Sequence, residues 1–271
     1  MRGYMDKTAG SNPSPHPVIF AGAGPGDPDL ITVKAQSALK TADLIIYAGS
    51  LVPEAVLCWK GEKTRTESSA GMTLEETTLA LKSCYEAGGK AVRLHTGDPA
   101  LYGAIFEQMR ELDKLNIPYE VIPGVTAAFA ASAGMKMEYT LPEVTQTLIL
   151  TRIAGRTPVP DTEDLEKLAA HQSSMAIYLS IGHVKKVQQI LEAAYGNRST
   201  CAIAYKVSHP EEKICYTKIC DLARTCEKEQ ITRHALIVVG KAVEAGVNRK
   251  EIIKSKLYDA AFSHGYRPAS R

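Results

Sequence analysis

Gly22-Ala-Gly-Pro-Gly-Asp-Pro-Asp29 follows directly on the apolar run Val18-Ile-Phe-Ala21, and the way this stretch departs from a dinucleotide loop decides how the rest of the chain is read. Such a loop sets a third glycine against a pyrophosphate at a helix N-terminus. In the frame Gly22-x-Gly24-x-x-Asp27, that place holds a carboxylate. Asp27 and Asp29 would repel a pyrophosphate. The next strand, Ala42-Asp-Leu-Ile-Ile-Tyr47, runs into Ala48-Gly49 where a ribose-binding Asp or Glu belongs. The stretch therefore reads as a sharp strand-to-helix turn, with Asp29 or Thr32 available to cap the helix that follows.

Working outward, strand and helix signals alternate as they do in a parallel sheet covered by helices. Val18 to Ala21 and Leu44 to Tyr47 are the first two strands. Thr73-x-x-Glu76 forms a capping box; Leu74, Thr77, Thr78, Leu81, Cys84 and Tyr85 then share a helical face, and Gly88-Gly89 ends the helix. A third strand, Ala91-Val-Arg-Leu-His95, leads into Thr96-Gly-Asp-Pro-Ala-Leu-Tyr-Gly103, a helix to about Leu115, a strand from Tyr119 to Ile122, and Pro123-Gly-Val-Thr-Ala-Ala128. Strands begin again at Gln146–Thr151, Ala176–Leu179, Cys201–Ala204, Lys213–Lys218 and Ala235–Val239. The short turn at His209-Pro210 makes the strands on either side an antiparallel pair, so the second sheet is mixed. The fold class is α/β with two domains, 18–125 and 126–245, behind a disordered N-terminal tail (1–17) and before a C-terminal segment (246–271). Gly124, Gly134 and Pro142 punctuate the hinge. In the C-terminal segment Ile253, Leu257 and Ala260 stand at helical spacing, equally compatible with a docked helix and a loose tail.

Composition narrows the function. The 271 residues carry a net charge of +2, with cations spread along the chain, which argues against nucleic acid as a partner. No apolar run has the length of a membrane span, and the N-terminus lacks the apolar core of a signal peptide. The six cysteines include no C-x-x-C pair and no histidine at zinc spacing. They read as reduced thiols of a cytoplasmic protein, those at 215, 220 and 226 as packing positions on a strand and a helix. No metal site is expected.

Ligands of open α/β sheets collect beyond the carboxyl ends of the strands, and a cleft between domains is the natural place for them. That puts Gly97-Asp98, Pro123-Gly124-Thr126 and the residues after Tyr178 on the functional rim. Asp98 has two readings of equal weight, a helix cap or a ligand contact. His95, at a strand end, reads as a packed neutral imidazole ahead of a catalytic one. Tyr102 could line a cleft or fill the core.

Gly22-Ala-Gly-Pro-Gly-Asp-Pro-Asp-Leu30, Thr96-Gly-Asp-Pro99, Pro123-Gly-Val-Thr-Ala127 and the last strand ending Val239-Gly240, in that order between about Val18 and Val243, together resemble the corrin and porphyrin methyltransferases. Tyr47-Ala-Gly-Ser-Leu-Val52 and the segment from Thr145 to Val159 resemble the members that methylate C11 of precorrin-4 or cobalt-precorrin-4 in cobalamin biosynthesis. Ser255-Lys-Leu-Tyr258, His264 and Arg267 resemble the C-terminal end of that subgroup.

The resemblance implies a homodimer that binds S-adenosylmethionine, folded, in the cleft between the domains. It places cofactor contacts at Gly97, Asp98, Leu101, Thr126 and Ala127, and further ones at Tyr178, Leu179, Ile181, Ala204 and Leu236. Pro25, Gly26 and Asp27 would face the tetrapyrrole, and Arg152 and Arg156 would meet its carboxylates, which arginine forks match. The chain departs from uroporphyrinogen methyltransferases, which resemble it at the second strand but carry an acidic residue where Ala48 stands. No general base is carried over. None is demanded, because methylation that makes an enamine-like carbon quaternary removes no proton from it.

Within the family the alternative is a methyltransferase for another ring position of a precorrin or uroporphyrinogen, such as C17 or C20; a nucleotide-dependent oxidoreductase and a non-catalytic tetrapyrrole carrier are the competing classes. Calorimetry separates them: S-adenosylhomocysteine should bind and NAD should not, whereas binding of NAD alone would sink the methyltransferase reading.

Overall fold

A computed structural model describes residues 16–49, 51–248 and 255–268. Most of the expected N-terminal tail, and Ile253 of the C-terminal segment, lie outside the described residues. The chain forms two compact units, Met1–Val125 and Thr126–Arg271.

In the first unit β1 (Val18–Gly22), β2 (Leu44–Tyr47), β3 (Arg65–Ser68), β4 (Ala91–His95) and β5 (Tyr119–Ile122) form one sheet in the order β3-β2-β4-β1-β5. Every pairing is parallel. Helices α1 (Val33–Thr41), α2 (Leu74–Glu86) and α3 (Ile105–Lys114) make the crossovers. Alternation along the strands sorts side chains onto two faces. Ala21, Ile45, Val92, Leu94 and Ile122 pack with Ala35 and Leu39 of α1, whereas Val18, Phe20, Leu44, Ile46 and Ala91 pack with Leu81 of α2 and Ile105 and Leu112 of α3. Such double coverage explains why the strands read as near-continuous apolar runs.

The helix signals hold. Thr32 caps α1 by accepting from Ala35 N–H, and the Thr73/Glu76 capping box opens α2. Asp29, the other candidate cap, instead donates its N–H to the Asp27 carboxylate, which opens a 3-10 turn at Pro28–Leu30. Gly88, at φ +77°, and Gly89 close α2 with bonds to Tyr85 and Cys84 carbonyls, the left-handed stop glycine favours. Strand β3 is an addition to the sequence reading. It is a polar, largely solvent-facing edge, Arg-Thr-Glu-Ser, that exists only because β2 offers it a ladder.

The second unit begins with α4 (Ala127–Met135) and continues through β6 (Leu148–Arg152), α5 (Leu165–Ala169), β7 (Ser174–Tyr178), α6 (Val184–Tyr195), β8 (Thr200–Tyr205), β9 (Lys213–Lys218), α7 (Leu222–Lys228), β10 (Ala235–Val239) and α8 (Lys241–Val247). Its sheet runs β6-β7-β10-β8-β9, parallel at β6/β7 and antiparallel elsewhere. The β8–β9 hairpin is the pair announced by His209-Pro210. Helices α5, α6 and α7 cover one face and α4 and α8 the other. In the C-terminal segment, the described part holds one 3-10 turn at Lys256–Tyr258; Arg267 donates to the carbonyls of Leu257 and Asp259.

At the carboxyl ends of β1, β4 and β5, three glycines touch backbone to backbone. A Cβ on Gly22 would lie 2.5 Å from Gly97 O and 2.6 Å from Gly124 Cα, and one on Gly124 would lie 2.1 Å from Gly97 O. Gly22→Ala should therefore cost about 3 kcal/mol, lowering Tm by roughly 6–12 °C. Gly71→Ala, where nothing lies within 4 Å, should leave Tm nearly unchanged; equal shifts in scanning calorimetry would refute this account.

Candidate active site

The rim of the first unit is assembled by main-chain bonds that continue past the strand ends. Ala23 N–H donates to His95 O at 2.7 Å, and Gly24 and Gly97 exchange both their bonds. Both glycines are left-handed, at φ +76° and +60°, so their side-chain-free backbones serve this crossing of two loops. Asp98 then ties in a third. Its Oδ1 accepts from Ala100 N–H and its Oδ2 from Gly124 N–H, each at 2.8 Å. Asp98 is not the expected helix cap, since α3 starts from Ala104 with no side-chain cap; it turns its own loop and locks that loop to the one after β5.

Beyond Asp98 the chain is tightly wound. Tyr102 and Ala104 are left-handed without being glycine, and a Cβ on Gly103 would fall 2.2 Å from Pro99 O. Backbone held in this region stores of order 1–3 kcal/mol per residue and clusters at ligand sites. Tyr102 is 45% exposed, which removes it from the core. Leu101 is half-buried beside it. Pro25 and Gly26 are buried and Asp27 half-buried; the Asp27 carboxylate is engaged within its own turn.

The second unit builds its rim at the start of α4. Thr126 is the N-cap residue but makes no cap bond itself. The Tyr178 hydroxyl, at the end of β7, supplies one: it accepts from Ala128 N–H at 2.9 Å and lies 2.7 Å from Thr126 Oγ1. Burial raises the pKa of this phenol, while the bonds from Thr126 and Ala128 pull the other way. It stays neutral. Leu179 follows in the left-handed region and is 63% exposed, an unusual state for leucine and a second sign of strain at a rim. Ser180 then seals the corner, donating to Tyr178 O at 2.5 Å and accepting from Ile153 N–H at 2.9 Å. Nothing in Tyr-Leu-Ser-Ile announced Ser180.

Of the remaining expected residues, Ala204 and Leu236 stand in register across β8 and β10, in the apolar cluster that also holds Ala127 and Tyr178. Ile181 packs on the opposite face. Arg152 donates to three carbonyls of its own loop, Ile153, Thr157 and Pro158; Arg156 is exposed.

A central strand carries two further polar groups. Arg93 of β4 is buried and bonded to Gln108 Oε1 and to the carbonyls of Ile46 and Leu94. An arginine inside Ala-Val-Arg-Leu-His was a signal in the sequence that went unused. His95 is 4% exposed, stacks on Phe20 and has no partner for Nε2. Burial, with a smaller push from Arg93, lowers its pKa to about 3, so it is neutral, as its strand-end position indicated. Among the described residues no three His, Cys, Asp or Glu side chains gather to hold a metal ion, and no helix is long and apolar enough to cross a membrane.

The family of Tetrapyrrole (Corrin/Porphyrin) Methylases matches residues 17–223. This chain belongs to that family. Among these methylases, it is 47% identical over 255 residues to a cobalt-precorrin-4 C(11)-methyltransferase of Methanocaldococcus jannaschii, covering 94% of this chain and 97% of that one. A solved cobalt precorrin-4 methyltransferase, described as a cobalamin biosynthetic enzyme, superposes with a TM-score of 0.81 at 42% identity, over 83% of this chain and 95% of that one. A uroporphyrin-III C-methyl transferase of Thermus thermophilus, solved with S-adenosylhomocysteine, matches with a TM-score of 0.71 at 25% identity, over 85% and 100% of the two chains.

The neutral His95 of this methylase sets a pH dependence. Its folded pKa lies below the unfolded value near 6.5, so the unfolded chain binds more protons between those limits and stability falls as pH falls through them. Between pH 7.5 and pH 5 this group should remove about 2 kcal/mol from the unfolding free energy. His95→Leu should flatten that slope in urea titrations; an unchanged slope would show that the imidazole does not resist protonation.

Proposed function

We propose that this chain transfers the methyl group of S-adenosylmethionine to C11 of precorrin-4 or cobalt-precorrin-4, a step of cobalamin biosynthesis. The observation that carries the reading is near full-length similarity to a cobalt-precorrin-4 C(11)-methyltransferase, joined to a glycine-built rim of strained loops in the first unit. S-adenosylmethionine, when bound, supplies an electrophilic methyl group on a sulfonium. The residues suit that group. Gly97, Leu101, Thr126, Ala127 and Leu179 offer main-chain groups and small or apolar surface, Asp98 adds a carboxylate, and none of these presents a cation against a sulfonium.

Asp98 orders the Gly97–Ala104 loop by accepting from the main-chain N–H groups of Ala100 and Gly124, so its part is to hold that loop in one geometry. Tyr178 does the same for the start of α4. Apolar side chains such as Leu101 and Leu179 keep water from the reacting atoms, which together with alignment is the catalysis this reaction asks for. No acid or base is assigned. Arg156, exposed and without a bond to its loop, is the cation of the pair that faces substrate carboxylates, while Arg152 shapes the loop that presents it. Pro25 to Asp27 lie on the tetrapyrrole side in this reading, and the enzyme acts as a cytoplasmic homodimer.

Incubation with precorrin-4 or cobalt-precorrin-4 and methyl-labelled cofactor, followed by NMR of the product, should place the label at C11; label at another ring carbon would reassign the enzyme within the family. Arg156→Gln should weaken tetrapyrrole binding about tenfold, with a smaller salt dependence than wild type, and leave affinity for S-adenosylhomocysteine unchanged.

A further inference from the structure

Arg93 is 8% exposed, and among the described residues no carboxylate lies within ion-pair distance of it. A buried charge is normally paired, because removing it from water costs several kcal/mol. Here the compensation is partial and one-sided. Nε donates to Gln108 Oε1 at 3.1 Å, and Nη1 donates to Ile46 O at 3.2 Å and Leu94 O at 3.4 Å. The other terminal nitrogen, Nη2, makes no hydrogen bond among the described residues. It is also absent from the side-chain polar atoms that are sealed without a partner, so it keeps some accessible surface.

The anchors of this guanidinium are the rim itself. Ile46 and Leu94 are residues of the carboxyl-terminal halves of β2 and β4, and Leu94 O also receives Ala48 N–H at 3.2 Å. Gln108, which orients Nε, donates to Ala104 O at 3.1 Å, the last residue of the strained loop after Asp98. Two positions along the same strand face stands His95, whose buried Nε2 has no partner. A fixed cation with an open donor edge and an imidazole nitrogen without a partner occur on the same face of β4. Burial lowers the Arg93 pKa to about 10, so it still carries its charge at neutral pH, and among the described residues no carboxylate neutralises it.

We infer that Arg93 is a preformed seat for one carboxylate of a ligand bound at this rim. The inference rests on the methyltransferase reading, which supplies two carboxylate-bearing ligands: the tetrapyrrole, through its acid side chains, and the cofactor, through its amino-acid end. The fork is held in place by protein acceptors before any ligand arrives, so little side-chain entropy remains to be lost on binding. Loss of the seat should then weaken the ligand roughly ten- to hundredfold, the range of a desolvated charge-assisted pair.

The test compares wild type with Arg93→Met, checked for native fold by circular dichroism. Calorimetry uses S-adenosylhomocysteine and 5′-methylthioadenosine, which lacks the amino-acid carboxylate; fluorescence titration uses uroporphyrin I, a macrocycle bearing eight carboxylates. Weakened S-adenosylhomocysteine with unchanged methylthioadenosine assigns the seat to the cofactor. Weakened uroporphyrin with S-adenosylhomocysteine unchanged assigns it to the tetrapyrrole. Unchanged affinity for all three probes overturns the inference, and so does an equal loss for S-adenosylhomocysteine and methylthioadenosine with no loss for uroporphyrin, since a carboxylate is then not what Arg93 recognises. If the Met variant does not fold, Arg93→Lys decides. It keeps the charge and loses the fork, so at least a fivefold loss for a carboxylate probe supports the seat, and wild-type affinities overturn it. Failure of wild type to bind either S-adenosylhomocysteine or uroporphyrin marks a different failure, that of the methyltransferase reading, and removes the inference with it.

Discussion

Three glycines in mutual backbone contact hold the functional end of the first unit together. Gly22, Gly97 and Gly124 belong to loops that leave three adjacent parallel strands, and no side chain fits between them. Because the loops touch through main chain, their carbonyls and amides pair with one another, as at Gly24 and Gly97, and a single carboxylate, Asp98, bridges two of them. Everything that follows at the rim is a consequence of that closeness. The chain after Asp98 has little room, so it winds through left-handed Tyr102 and Ala104 before α3 can start.

The second unit reaches a similar end by different chemistry. Its corner is made by side-chain oxygens, with Tyr178 capping α4 and Ser180 joining the ends of β6 and β7. Hydroxyl groups in such positions satisfy main-chain donors that would otherwise be buried without partners. The two corners differ in how they tolerate change. At a glycine contact even one added methyl meets backbone, whereas a hydroxyl cap loses a single bond when it is removed.

Much of this was legible from residue order. The alternation of apolar runs with capped helices gave the two α/β units, and Thr73 to Glu76 and His209-Pro210 marked their elements within a residue or two. What escaped were features written in three dimensions. Strand β3 is polar and borrows its conformation from β2. Ser180 acts through partners that are distant in the chain. Arg152 looked like a ligand for carboxylates, yet its hydrogen bonds go to carbonyls of its own loop, because arginine forks match any pair of oxygens and sequence does not say whose. Arg93 was visible as a charge in a central strand, and only the fold shows that, among the described residues, no carboxylate pairs with it.

The strand order also sets a timetable for synthesis. In the first unit the last strand to emerge, β5, lies at the sheet's edge, and every strand has been made by Ile122. That unit is able to close while the rest of the chain is still being translated. In the second unit the final strand, β10, is central, inserted between β7 and β8. Until Val239 leaves the ribosome, both of those strands show bare edges, and the apolar faces beside them stay open to solvent. A growing chain of this protein therefore carries one finished half and one half that needs guarding from other nascent chains until its last strand arrives.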